Sequence, residues 1–142
     1  MEKRIKTVTL AMKVNDRLFY KMRDEQEAYL KRVSLFSSDE VIALAEEIAL
    51  RNLILDTMER HDLSFKAAFA LINNPNPLSL VYEYYVSNNL TFEMDIQKQM
   101  EKCGCWYYEG HKAFFNELTN AFLNNSWIWK KLYPWQKGIM RV

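Results

Sequence analysis

Three glycines and three prolines in 142 residues leave this chain few places at which to turn. A many-stranded sandwich or barrel needs a turn signal about every ten residues, so the scarcity points to long helices. A chain that is 49% hydrophobic and 26% charged is globular rather than disordered. Its length suffices for one core without a metal or disulfide. The expected fold is therefore mainly α, one compact bundle of about six helices over residues 1–142.

Local signals place those helices. In residues 7–14 the apolar Val8, Leu10, Met12 and Val14 alternate with Thr7, Thr9, Ala11 and Lys13. This is the period of a half-buried strand, so a short N-terminal strand is expected there, with a helix through Ile5, Val8 and Met12 as the rival reading. Asp16 caps a first helix to about Val33, with Leu18, Met22, Tyr29 and Val33 on one stripe. Ser37 and Glu40 have the capping-box spacing before the apolar run at Val41, which predicts a second helix to about Arg60. Apolar over two stripes, this helix is expected to be the central, most buried one.

Ser64 caps a third helix over residues 65–73, with Leu63 as a hydrophobic staple. Asn74-Pro75-Asn76-Pro77 then breaks the chain, and Asn76 caps a fourth helix to Asn88 with Pro77 at its first position. Thr91 caps a fifth helix, for which Gly104 is a natural stop, and a sixth spans residues 107–124. Beyond it, Ser126-Trp127-Ile128-Trp129-Lys130-Lys131-Leu132-Tyr133-Pro134-Trp135 holds three of the four tryptophans.

The net charge of +1 conceals a segregation. Residues 1–15 carry Lys3, Arg4, Lys6 and Lys13 against Glu2, a net +3, and residues 126–142 carry Lys130, Lys131, Lys137 and Arg141 with no acid, a net +4. The body between them sums to −6. Basic ends on an acidic body suit a protein that meets charged partners. No apolar run approaches the roughly 20 residues of a membrane span, and no signal core follows the N-terminus. Cys103 and Cys105, two apart, are poorly placed to bridge each other, so a reducing cytoplasm is the expected home.

Catalytic signatures are absent. Cys103, Cys105 and His111 offer zinc-type ligands, but not at the usual Cys-x2-Cys spacing, and His61 is remote in sequence. Glu109 and His111 are the only local partners for a nucleophilic cysteine, and Gly104 forms no nucleophile elbow. Glu46 and Glu47 point about 100° apart on a helix, which does not make an acid–base pair. The glycines are isolated, so no phosphate loop exists. The turn at residues 61–64 looks like a helix-turn-helix, but the second helix, Phe65-Lys66-Ala67-Ala68-Phe69-Ala70, has little with which to read a base edge. No enzyme, metal or cofactor is expected.

The run Leu18-Phe19-Tyr20-Lys21-Met22 with Glu25 and Tyr29, then Asp39-Glu40-Val41-Ile42, Leu53-Ile54-Leu55, Met58-Glu59, Leu63 and Ala67 resembles domain-of-unknown-function family 3848. Its most specific part is Ala70-Leu71-Ile72-Asn73-Asn74-Pro75-Asn76-Pro77-Leu78 followed by Tyr82-Glu83. The resemblance covers residues 17–102 and leaves residues 103–142 as an aromatic-rich C-terminal extension. It implies a small helical domain from conjugative elements, phages and islands of Gram-positive gut bacteria. That family has no established catalytic residues to carry over.

Two functional expectations follow. The first is a non-enzymatic accessory protein of a phage or mobile element, of anti-CRISPR type, that binds a protein partner such as a host nuclease complex. Its acidic helical surface would comprise Asp39, Glu40, Glu46, Glu47, Asp56, Glu83, Glu93 and Asp95. The second is a nucleic-acid-binding accessory protein in which Trp127, Trp129 and Trp135 stack on bases while Lys130 and Lys131 meet phosphates. The same rings could instead fold back and complete the core. No membrane contact is expected.

Overall fold

The computed structural model describes residues 2–91 and 95–124. Among these residues seven helices follow one another: α1 (Glu2–Val33), α2 (Ser38–Ala43), α3 (Ala45–Arg60), α4 (Phe65–Ile72), α5 (Pro77–Ser87), α6 (Ile96–Gly110) and α7 (Lys112–Asn124). Among the described residues there is no strand. One apolar cluster draws Leu18 and Met22 from α1, Ile54 from α3, most of α4, Leu78 and Tyr85 from α5, Met100 from α6 and Phe115 from α7.

The expected strand over residues 7–14 is instead part of α1, a helix of 32 residues. A lone strand would leave its backbone groups without partners, whereas a helix satisfies them internally. The decisive spacing is Val14, Leu18 and Met22, four apart and all buried, while Met12 from the alternating set is exposed. Asp16 is consequently not a cap but an exposed mid-helix residue.

The capping box forms as expected: the Ser37 hydroxyl accepts from the Glu40 N–H at 3.3 Å, and Glu40 accepts from the Ser37 N–H at 3.4 Å. The helix it starts stops after six residues at Leu44 and resumes as α3. Neither half is the central helix. That place belongs to α4, where Ala67 to Ile72 are each at most 1% exposed. Apart from Lys66, α4 is apolar on all sides, whereas α3 carries Glu46, Glu47, Asn52, Asp56 and Glu59. It packs chiefly against α6 and α1.

Two further sequence expectations shift. Asp95, not Thr91, caps α6, accepting from the Lys98 N–H at 3.2 Å. Gly104 does not stop that helix but lies buried inside it, and α6 continues to Gly110, so the last expected helix divides at His111. The reason is tertiary. A Cβ added at Gly104 would lie 2.7 Å from the Cα, Cβ and O of Ala67, so the missing side chain is what lets α6 approach α4.

Candidate functional site

Buried and half-buried charged residues gather where α1 meets the α4–α5 connection. Lys21 and Glu25 are one helical turn apart on α1. The Lys21 ammonium donates to the Ile72 carbonyl at the end of α4, at 2.8 Å. Glu25 accepts at the start of α5 from the Leu78 N–H at 2.8 Å, the Ser79 N–H at 2.9 Å and the Ser79 hydroxyl at 2.6 Å. A cation thus meets a helix C-terminus and an anion a helix N-terminus. Burial pulls the Lys21 ammonium down to about 8, against the opposing pull of Glu25.

Sequence reasoning assigned the α5 cap to Asn76, whose side chain makes no such bond. Pro77 has no N–H, so the first free donors belong to Leu78 and Ser79, and Glu25 reaches both from 53 and 54 residues away. Asn74 meanwhile accepts from the Asn76 N–H at 2.8 Å, which sets the Asn-Pro-Asn-Pro turn.

Behind Glu25 lies Arg51 of α3, with a side chain only 4% exposed. Its guanidinium is 3.6 Å from the Glu25 carboxylate and 3.8 Å from Glu47, and it donates to Gln26 at 3.0 Å and to Ser79 at 3.1 Å. It also sits 4.0 Å over the Tyr29 ring. Burial, reinforced by Glu47, pushes the Tyr29 phenol up to about 12, and the Tyr82 phenol is raised by the same two causes. Lys21, Asp24, Glu25, Ala28, Arg32, Pro75, Asn76 and Ser79 line a groove of about 460 Å³ beside this network. Its inner charges bridge α1, α3 and the α4–α5 connection.

A model of a protein family of unknown function, DUF3848, matches residues 14–103, well over half of the chain. The chain belongs to DUF3848. No curated protein and no solved structure matches it. The clamp of Lys21, Glu25 and Arg51 around the Asn-Pro-Asn-Pro turn lies wholly within the DUF3848 segment. The most recognisable motif of this chain therefore marks a structural joint.

The acidic residues named from the sequence are not equivalent. Asp39 and Glu40 on α2 and Glu46 in the first turn of α3 are exposed. Glu47 is half-buried and turned toward Arg51, Tyr29 and Tyr82. Asp56 pairs with Arg60 one turn along α3. Glu83 lies on α5 and Asp95 caps α6, while Glu93 falls outside the described residues. Trp127, Trp129, Lys130, Lys131 and Trp135 also lie outside the described residues.

Sequence reasoning missed an apolar patch beside the exposed acids. Leu35 is 86% exposed and Ile42 71%, with Phe36 between them in the chain also exposed. A residue just before a capping box often packs back as a staple, yet Leu35 and Phe36 ahead of Ser37 are both exposed. Among the described residues no helix is long and apolar enough to cross a membrane.

The cysteines differ sharply. Cys103 is buried, and burial alone pushes its thiol up to about 12, whereas Cys105 is half-buried with its Sγ 3.4 Å from Glu101. His111 is exposed, and its ring lies tilted at 41° to that of Tyr107 with centroids 4.5 Å apart. No group of three metal-ligating side chains occurs among the described residues. In the native protein at pH 8, iodoacetamide should label Cys105, and Cys103 only after urea, as read by peptide mass spectrometry; equal labelling would contradict the burial of Cys103.

A pH dependence follows from the same thiol. Between its ordinary value of 9.0 and about 12, the folded chain keeps a proton that the unfolded chain releases. The stability this group contributes is therefore complete below pH 9 and declines as pH rises through 12. The stability advantage of wild type over Cys103→Ala should shrink between pH 8 and pH 10.5 in urea unfolding.

Proposed function

We propose that this DUF3848 protein is a non-enzymatic accessory factor of a phage or other mobile element, one that binds a nucleic-acid-handling defence complex of the host and blocks it. The observation that carries this reading is the surface around α2. There Leu35, Phe36 and Ile42 are exposed apolar side chains in one short stretch of chain, interspersed with the exposed acids Asp39, Glu40 and, at the start of α3, Glu46. An apolar centre with a polar rim is the usual anatomy of a protein interface. The acidic side chains favour a partner whose own surface is basic, as a nucleic-acid groove is.

The test compares tagged full-length protein with a variant carrying Leu35→Ser, Asp39→Lys, Ile42→Ser and Glu46→Lys. These four side chains are exposed or take no part in the capping box, so folding should survive, as circular dichroism would verify. Wild type is expected to retain a nuclease complex from host lysate and to inhibit its cleavage, with at least tenfold weaker retention by the variant. Equal retention by both proteins would refute the reading. Retention of nucleic acid alone, abolished by Lys130→Glu with Lys131→Glu, would replace it with nucleic-acid binding through the C-terminal segment.

A further inference from the structure

A single residue joins α2 to α3. Leu44 ends one helix and begins the other at φ −97° and ψ 5°, and its N–H turns back to the Val41 carbonyl, three residues earlier, at 3.1 Å. Helical bonding then resumes at once, with the Ile48 N–H on the Leu44 carbonyl at 2.9 Å. A tight turn of this kind inside a helical run often marks a hinge. The amino acids do not demand the break, since residues 38–60 hold no glycine and no proline.

The bend leaves bonds unmade. The N–H groups of Ala45, Glu46 and Glu47 form the first turn of α3 and have no acceptor inside that helix, and Leu44 gives them no side-chain cap. In a straight helix the carbonyls of Val41, Ile42 and Ala43, each four residues back, would accept from all three. What opposes straightening at the corner is the partial burial of Val41 and Leu44, and no residue of α2 is buried.

We infer that Leu44 is a hinge, at which α2 swings between the bent position and one continuous helix with α3 over residues 38–60. The chain ahead of α2 has the reach for it. Asn15 of α1 bonds to Leu63 just past α3, and Tyr29 lies under Arg51, so α1 and α3 run antiparallel and α1 ends near the start of α3. From Val33 to Ser38 the chain spans up to about 17 Å, enough to cross the roughly 8–10 Å between packed helices and follow the roughly 9 Å that six more helical residues add to α3.

The swing changes the surface. Ile42, Ala45, Ala49 and Leu53, at spacings of three and four, fall on one stripe of a continuous helix, and of these Leu53 is half-buried and the rest are exposed. Straightening brings Ile42 into line with α3 and completes an apolar ridge that the bend interrupts. The motion belongs to the free chain, so it stands apart from the partner proposed above.

Hydrogen exchange of the full chain, read residue by residue by NMR, tests the hinge with two variants. Ala45→Pro puts proline at the first position of α3, which suits the bent form, where that N–H has no helical acceptor, and excludes the straight one. Leu44→Ala removes a half-buried side chain from the corner and supplies the best helix former, which favours the straight form. Relative to their rates in an unstructured chain, the Glu46 and Glu47 amides are expected to exchange about threefold slower in wild type than in Ala45→Pro, and about tenfold slower again in Leu44→Ala. Wild-type rates that match the unstructured chain, or that Leu44→Ala does not slow, would overturn the inference. Were Ala45→Pro to misfold, as circular dichroism would show, wild type and Leu44→Ala would still decide.

Discussion

Replacing Arg51 with methionine should lower the unfolding free energy by about 3 kcal/mol, the lower end of what breaking one side of a buried ion pair costs. Lost attraction is the smaller part of this. Arg51 and Glu25 are 4% and 9% exposed, and removing the guanidinium strands the carboxylate away from water. Three hydrogen bonds from Leu78 and Ser79 remain on Glu25, which is why the upper end of the range is not expected. Gln26 loses a donor at its Oε1, and Tyr29 loses the cation over its ring.

The size of the effect separates two accounts of the clamp. If the pair acts as a unit, adding Glu25→Gln to Arg51→Met should cost much less than the sum of the single changes, because no buried charge is then left alone. If Glu25 matters mainly as the cap of α5, the two costs should add. Urea unfolding at pH 7 of wild type, both single variants and the double variant measures the coupling. A loss below about 1 kcal/mol for Arg51→Met would mean that water reaches Glu25 once the arginine is gone.

This joint also shows why part of the molecule was legible in the sequence and part was not. Signals contained within a few residues were realised: the Ser37–Glu40 box, the Ser64 cap and Pro77 at the first position of α5 all form. Each depends only on near neighbours, so the local string holds all the information. Glu25 as the cap of α5 is invisible to that reading, because its partners lie 53 and 54 residues away. A glutamate among the charges of α1 looks like any solvated residue until α3 and α5 are packed against it.

The misread strand follows the same logic. Alternation over residues 7–14 was a true local pattern, but its outcome rested on whether a partner strand existed and on Val14 continuing into Leu18 and Met22. At the candidate site, the exposed acids of α2 were legible as charge. The adjacent Leu35 and Ile42 were not legible as surface, since apolar side chains are assumed to be buried until a fold leaves them out.

Gly104→Ala is expected to destabilise the protein by about 2–3 kcal/mol, although alanine is the better helix former by about 1 kcal/mol. Gly104 is inside α6 and has no positive φ, so the backbone conformation does not require glycine. The obstacle is contact. An added Cβ meets Ala67 at 2.7 Å, roughly an ångström inside ordinary carbon–carbon contact, and two of the three atoms it meets, Cα and O, are backbone. Backbone cannot rotate aside, and α4 is buried from Ala67 to Ile72 with α6 and α1 packed against it, so relief requires moving a helix. Gly110→Ala is the control within the same helix. Nothing lies within 4 Å of a Cβ there, so it should be neutral or stabilising by up to about 1 kcal/mol. Removing the Ala67 methyl with Ala67→Gly should recover only part of the loss from Gly104→Ala, because the Cα and carbonyl oxygen still block. Thermal and urea unfolding of these variants would read the contact directly. A Gly104→Ala protein as stable as wild type would show that α4 and α6 can separate at no cost and that their close approach does not hold the bundle together.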